Sequence, residues 1–458
     1  MLFHSHVFLL LFLPTVLVGY YLFQDHRSIR TWLLVAASLV FYAYWDVRLV
    51  PLLVGSVCVN WMFTRAFGRH PRRSLVVLGV ALNLFVLGVF KYADFFADNL
   101  AWFVGFHHQR WSIVLPLAIS FFTFQQISYL VDLYRARAPV YRFDQYALYV
   151  MFFPQLIAGP IVRHHELIHQ FALSPLREGL YERLSRGLTL LIIGIFKKAV
   201  IADELAKISD SLFAAASQGL TFAEGWLGAV AFTLQIYFDF SGYSDMAIGL
   251  GLMFGFVLPL NFNAPYRATS IREFWRRWHM TLSRFLRDYV YISFGGNRRG
   301  PWRQAMAVFI TFLLGGLWHG AAWTFVVWGA LHGIALAVNQ LWSRAGLRMP
   351  GILAWALTLL FVVVCFVLFR AESFTMAAGM LLAMAGTNGW SMAVPGVDEP
   401  WLIAAAAALV LFAPTSQRLA LEMLVPRRLA AAGIAVAAAY VTLHVGGGEN
   451  VEFIYFQF

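Results

Sequence analysis

Forty consecutive residues, 304–343, carry no Asp, Glu, Lys or Arg. A hydrocarbon layer about 30 Å thick is crossed by roughly 20 helical residues, so this stretch alone can cross twice. Within it the apolar runs fall at 305–318 and 322–342. Similar runs lie at 5–23, 31–47, 50–67, 74–90, 112–131, 187–202, 225–238, 244–260, 352–369, 401–413 and 429–445. The chain has 458 residues, 60% hydrophobic and 12% charged, and in water it could not hide that apolar surface. Inside a bilayer no water satisfies backbone N–H and C=O groups, so each span must be a helix. The sequence therefore predicts an all-α, polytopic integral membrane protein with roughly 11 transmembrane helices. Pro and Gly interrupt several runs, which leaves room for re-entrant and interfacial helices. No 20- to 50-residue period repeats, which argues against a solenoid.

A polar residue inside such a run needs a reason. His319 sits in Leu313-Leu314-Gly315-Gly316-Leu317-Trp318-His319-Gly320-Ala321-Ala322-Trp323. The three glycines let a substrate or another backbone approach closely. Two readings stand side by side: an intramembrane acid/base site, or an imidazole hydrogen-bonded to a neighbouring helix. His332 follows 13 residues later. On one straight helix the two would point about 220° apart, so they are no metal pair of the i, i+4 kind. His164, His165 and His169 lie in a charged loop without Cys. Cys58 and Cys365 sit in apolar runs and form no ligand spacing. No metal site is expected.

The net charge is +11. Nine arginines lie between Arg267 and Arg303 against Glu273 and Asp288, and further clusters occur at Arg65, Arg69, Arg72, Arg73 and at Arg135, Arg137, Arg142. Short Lys/Arg-rich loops stay in the cytoplasm. The loops at 24–30, 65–73 and 132–143 are each two crossings apart and share that side, which places the N-terminus in the periplasm. Anionic membrane lipids are sufficient partners for these arginines, and no nucleic acid is needed. Residues 5–23 lack a basic n-region and a small-residue cleavage site, so they read as a retained helix.

The chain reads as one membrane domain over 1–458: N-terminal helices in 1–143, a catalytic core in 144–345 and C-terminal helices in 346–458. Residues 148–162 contain two prolines and a glycine and predict a bent or re-entrant element. Gly386, Asn388, Gly389, Pro395, Gly396 and Pro400 mark a linker. Ser270 followed by Glu273 is a capping box that starts a helix over 270–291. Phe274, Trp278, Leu282, Phe285 and Tyr289 form its apolar face, with Arg272, Arg276, Arg284 and Arg287 mostly elsewhere. An amphipathic helix on the cytoplasmic surface follows. His279, beside Trp278, is either part of an interfacial anchor or the cytoplasmic mouth of a site. The stretch 235–245 is too polar for a lipid-facing helix: Tyr237, Asp239, Ser241, Tyr243 and Asp245 line a cavity or tie helices together, and Ser241-Gly242 marks a break. Lys197, Lys198, Asp203 and Glu204 read as interfacial pairs or snorkelling side chains.

No phosphate-binding loop, G-x-G-x-x-G or G-x-S-x-G elbow occurs. A buried histidine without a nucleophilic partner suggests a general base acting on a hydroxyl. A passage through the bilayer would admit a thioester from one side and a hydroxyl from the other, and that chemistry is acyl transfer.

Phe274-Trp275-Arg276-Arg277-Trp278-His279-Met280-Thr281-Leu282-Ser283, Arg287-Asp288-Tyr289-Val290-Tyr291-Ile292, Gly295-Gly296-Asn297-Arg298 and Gly315-Gly316-Leu317-Trp318-His319-Gly320 resemble the membrane-bound O-acyltransferases, most nearly the bacterial alginate O-acetyltransferase membrane subunits. The likeness extends through Tyr237–Gly249, Phe369-Arg370-Ala371-Glu372 and Phe453-Ile454-Tyr455-Phe456-Gln457-Phe458. It implies that His319 holds the catalytic-histidine position and that His279 contacts substrate. It further implies helices around a central tunnel from cytoplasm to periplasm, and acetyl-CoA as donor with no bound cofactor. The implied partners are a periplasmic serine-hydrolase-type acetyltransferase subunit and a polysaccharide synthesis/export complex in the bacterial inner membrane. Alginate, cellulose and peptidoglycan are polymers that such relatives modify. Trp275, Arg276, Asn297, Trp318 and His332 join the expected lining. Asn263, Tyr266 and Asn297 are candidate oxyanion donors, and the bulky Trp318 and Trp323 favour a short acyl group. The linker near 414–428 is shorter than the family pattern. The competing class is a polysaccharide or lipid-linked sugar transporter without bond chemistry.

Overall fold

The computed structural model describes residues 1–111, 113–298, 300–391, 400–425, 427–447 and 453–454, and among these every regular element is helical. Five helices are long and apolar enough to cross a membrane: Val47–Arg69, Arg73–Val104, Trp323–Arg344, Gly351–Arg370 and Arg428–Val445. A sixth span is formed if Pro400–Phe412 and Ser416–Met423, bent by 63°, count as one. The protein is thus an all-helical, multi-pass membrane protein. The expected run at 112–131 enters its helix only at Ile119, and that at 187–202 loosens into a π-helical turn at Phe196–Ala202.

The chain forms two compact units. The first comprises Met1–Ile193, Tyr243–Leu260 and Leu424–Gly448. Its helices are joined by buried polar pairs, which act as adhesive where apolar contacts alone give little preference between lipid and helix. The amides of Asn60 and Asn83 exchange hydrogen bonds at 2.6 and 3.2 Å. Ser56 Oγ accepts from Gln126, whose Oε1 accepts from Tyr146. The proline-rich segment bends as expected: helix Phe143–Met151 stops, and a four-residue helix, Phe153–Leu156, follows. The Phe153 N–H freed at the bend donates to Ser38 Oγ at 3.0 Å.

The second unit comprises Gly194–Gly242, Asn261–Met423 and Glu449–Phe458. It holds the polar spans and the arginine-rich segment. Helix Phe222–Met253 runs without interruption through Ser241-Gly242, contrary to the break expected there. Gly242 serves close packing instead: a Cβ on it would sit 2.8 Å from the Gly194 carbonyl oxygen and 3.2 Å from Lys197 Cβ. The expected linker at 386–400 lies partly outside the described residues.

Candidate active site

Helices Pro301–His319 and Trp323–Arg344 make an antiparallel hairpin within the second unit. Its close approach depends on glycine. A Cβ at Gly316 would lie 3.0 Å from Gly329 Cα, and one at Gly333 would lie 2.9 Å from Phe309 Cα. The glycines around His319 therefore admit another backbone. The first helix ends at His319 because Gly320 is extended, with φ −160° and ψ 152°. The His319 ring is 6% exposed. It lies 4.8 Å from the Trp318 ring and 5.1 Å from each of Trp328 and Phe369. His332, on the second helix, packs 4.6 Å from the other end of this aromatic group at Trp328. Its Nδ1 accepts from Trp275 Nε1–H at 3.2 Å. An indole nitrogen only donates, so the His332 proton resides on Nε2.

The segment 270–291 is not one surface helix. Ser270 does cap it, accepting from Glu273 N at 3.2 Å, while Glu273 Oε2 accepts from Thr269 N and Oγ1. But helix Ile271–Arg277 ends, Trp278 is extended, and His279 takes φ 40° and ψ 54° before helix Met280–Phe285 begins. The irregular run 261–263 satisfies backbone groups at the kink. Asn263 N–H donates to the Arg277 carbonyl and Met280 N–H to the Asn261 carbonyl, both at 2.9 Å. The kink turns His279 from a surface position into one with no exposure at all. Its ring stands edge-on to Phe240 at 4.7 Å and 6.4 Å from Trp318. His279 and His319 thus both lie near one indole. Burial pushes the His279 imidazole down to about 3, so it is neutral at working pH.

Between the kinked helices and the hairpin lies a cavity of about 540 Å³. Arg272, Arg276, Arg284 and Arg287 line it, with Trp275, Gln304 and Gln340, and no carboxylate lines it; Asp288 pairs with Arg287 from outside the lining. Trp275 belongs both to this wall and to the His332 hydrogen bond, so it connects the basic cavity with the aromatic group around His319.

Other expected site residues divide. Asp239 is buried in an ion cluster: Lys198 Nζ lies 2.9 Å from its Oδ1 and 2.7 Å from Asp203 Oδ1. Lys198 is therefore a buried cation and does not snorkel. Asp239 Oδ2 accepts the Ile454 N–H at 2.8 Å, and Phe453 packs 5.8 Å from Phe240; residues 455–458 lie outside the described residues. Tyr237 packs between Tyr266 and Phe262, with Lys197 over its ring. Ser241 is fully buried in the same helix. Tyr243 and Asp245 belong to the first unit, where Tyr243 packs on Phe3. Asn297 and Asn263 are exposed, and the Tyr266 hydroxyl donates to the Thr233 carbonyl, which engages its proton. Trp318 is buried, whereas Trp323 is 53% exposed. Among the described residues no three His, Cys, Asp or Glu side chains are placed to hold a metal ion. Sequence reasoning missed Asn261 and Trp328. Asn261 had a weak signal in the Asn-Phe-Asn run after an apolar stretch, and Trp328 had none beyond its nearness to His332.

Residues 18–378 match the membrane-bound O-acyltransferase family. The chain is 43% identical to the peptidoglycan O-acetyltransferase of Helicobacter pylori, over 86% of this chain and 81% of that protein. It is 46% identical to the probable alginate O-acetylase of Pseudomonas aeruginosa, over 86% and 76%. A more distant likeness, 28% over 51% of this chain and 59% of the other, is to the teichoic acid D-alanyltransferase of Streptococcus thermophilus. With two buried histidines about one tryptophan, and a match over most of its length, this chain belongs to the membrane-bound O-acyltransferase family and is an O-acyltransferase.

Proposed function

We propose that the protein is an inner-membrane O-acetyltransferase. It takes acetyl from a cytoplasmic thioester, acetyl-CoA, and delivers it across the membrane for O-acetylation of an exopolysaccharide, alginate or cellulose. The observation that carries this reading is the pair His279 and His319, both buried near Trp318, beside a cavity lined by four arginines. Arginine suits the phosphates of a nucleotide-bearing thioester. His319 acts as general base on the accepting hydroxyl. The hydroxyl oxygen attacks the thioester carbonyl as its proton passes to the imidazole, the C–S bond breaks, and the imidazolium returns the proton to the departing thiolate. A tunnel between the two membrane faces, about 11 crossings in all and a periplasmic N-terminus belong to the same proposal. A periplasmic serine-hydrolase-type subunit then passes acetyl to the polymer within the synthesis/export complex.

The Helicobacter pylori relative supports a second choice of polymer, peptidoglycan. One experiment serves both. In cells making the polymers, His319→Ala is expected to lower acetyl esters about 10²-fold or more while the protein stays at its normal membrane level. Unchanged acetyl content at normal level would refute the reading. The wild-type strain chooses the polymer by where the esters are found, on secreted polysaccharide or on wall muropeptides.

A further inference from the structure

Asn261 holds the kink at His279 through four contacts. Its carbonyl accepts from Met280 N–H, and its side-chain Oδ1 meets Thr281 N at 3.3 Å, Thr281 Oγ1 at 2.9 Å and His279 Nδ1 at 3.1 Å. Thr281 N is a backbone donor, so the amide atom facing it is the oxygen and the orientation of the Asn261 amide is settled. An oxygen acceptor beside Nδ1 requires that Nδ1 carry the proton. The lone pair of His279 is therefore on Nε2. That atom is buried and has no hydrogen-bond partner among the described residues. Two aromatic rings stand against it, Phe240 and Trp318. A buried acceptor left without a donor is unusual enough to ask what supplies one. The left-handed backbone at His279, rare outside glycine, is the kind of local strain that persists where the surroundings over-determine it.

We propose that Asn261 is a positioning residue of the acyl-transfer site. It fixes His279 as the Nδ1–H tautomer, so that Nε2 accepts a hydrogen bond from an O–H or N–H group of the substrate. This rests on the reading of His279 as a site residue. An acceptor at Nε2 cannot stabilise an oxyanion. His279 instead accepts from either a second hydroxyl of the acceptor, since the reacting hydroxyl gives its one proton to His319, or an amide N–H of the thioester arm.

Three variants test this with acetyl-CoA as donor, in membranes that hold equal amounts of protein. Asn261→Leu keeps the bulk and removes the acceptor; transfer is expected to fall about 10²-fold, the scale of losing a correctly held imidazole. A fall in kcat at constant donor KM assigns the contact to the hydroxyl, and a rise in donor KM assigns it to the amide. Asn261→Asp keeps the acceptor and adds a negative charge, which favours the imidazolium. Its transfer is expected to recover at high pH, with the acid limb of the pH profile raised by about 1 unit or more. A merely structural Asn261 would not move that limb. If these two variants fail to accumulate, Thr281→Val decides: it removes one donor that orients the amide, and kcat is expected to drop several-fold. Normal transfer by Asn261→Leu, an unmoved acid limb in Asn261→Asp, or normal kcat in Thr281→Val overturns the inference. Normal transfer by His279→Phe would instead overturn the site reading beneath it.

Discussion

At the scale of single residues, a buried cation shows what it takes to bury charge: partners that meet it. Lys198 shows this most plainly. The ammonium is 4% exposed and lies between Asp203 and Asp239, and Asp239 also receives a backbone N–H from Ile454. Removing one member of such a cluster leaves an uncompensated buried charge, which costs about 3–5 kcal/mol. Lys198→Met is therefore expected to lower the melting temperature in detergent by a clear margin, and Asp239→Asn by less because the amide still accepts from Ile454. A Lys198→Met protein that melts with the wild type would show that the cluster is not formed. Sequence reading placed Asp239 in the interior but read Lys198 and Asp203 as interfacial or snorkelling, and so missed the burial of Lys198. The same letters describe a snorkelling lysine and a buried one; the difference is a carboxylate 41 residues away in the chain, at Asp239. His319 was legible because an imidazole among apolar residues is conspicuous whatever it touches. Asn261 was not, since its importance comes from a turn 18 residues later.

At the scale of elements, two departures from ideal helices make the site. The first is the kink at Trp278-His279. Apolar periodicity runs unbroken through 274, 278, 282, 285 and 289, so it predicts one helix, and Phe274, Trp278, Leu282 and Phe285 are indeed buried. Periodicity reports which side is apolar, not whether the backbone continues. Here the run 261–263 takes up the freed backbone groups and allows the reversal. The second is the tight hairpin of Pro301–His319 and Trp323–Arg344. Its glycines at 316 and 329 face each other at backbone contact, so Gly316→Leu must push the helices apart. Overpacking of this kind costs about 1–3 kcal/mol. It would also displace His319, three residues further along. The expected outcome is reduced thermal stability with acetyl transfer lost out of proportion to the protein that remains folded. Full transfer with a lowered melting temperature would show that the hairpin and the chemistry are independent.

At the scale of the whole molecule, composition settled the class of protein and motifs settled the family. Membrane residence follows from apolar content that water could not accept, and the structure agrees with five apolar spans and one bent pair among the described residues. The number of crossings was the less legible part. Runs such as 187–202 and 244–260 are apolar enough by composition, yet they contain a π turn and a helix that stops at Met253. The arginines at 272, 284 and 287 read as lipid-facing and Arg276 as part of a lining; folded, all four gather around one cavity. The central claim, that acetyl passes from a cytoplasmic thioester to a hydroxyl at His319, is tested most directly with purified protein in sealed vesicles. Acetyl-CoA labelled in its acetyl group is placed on the arginine-rich side. Alginate or muropeptide fragments, with a periplasmic extract of acetylating cells, are placed on the other. The account predicts labelled ester on the far side with the wild type and background label with His319→Ala. Equal far-side label from His319→Ala, or none above empty vesicles from the wild type, would contradict it.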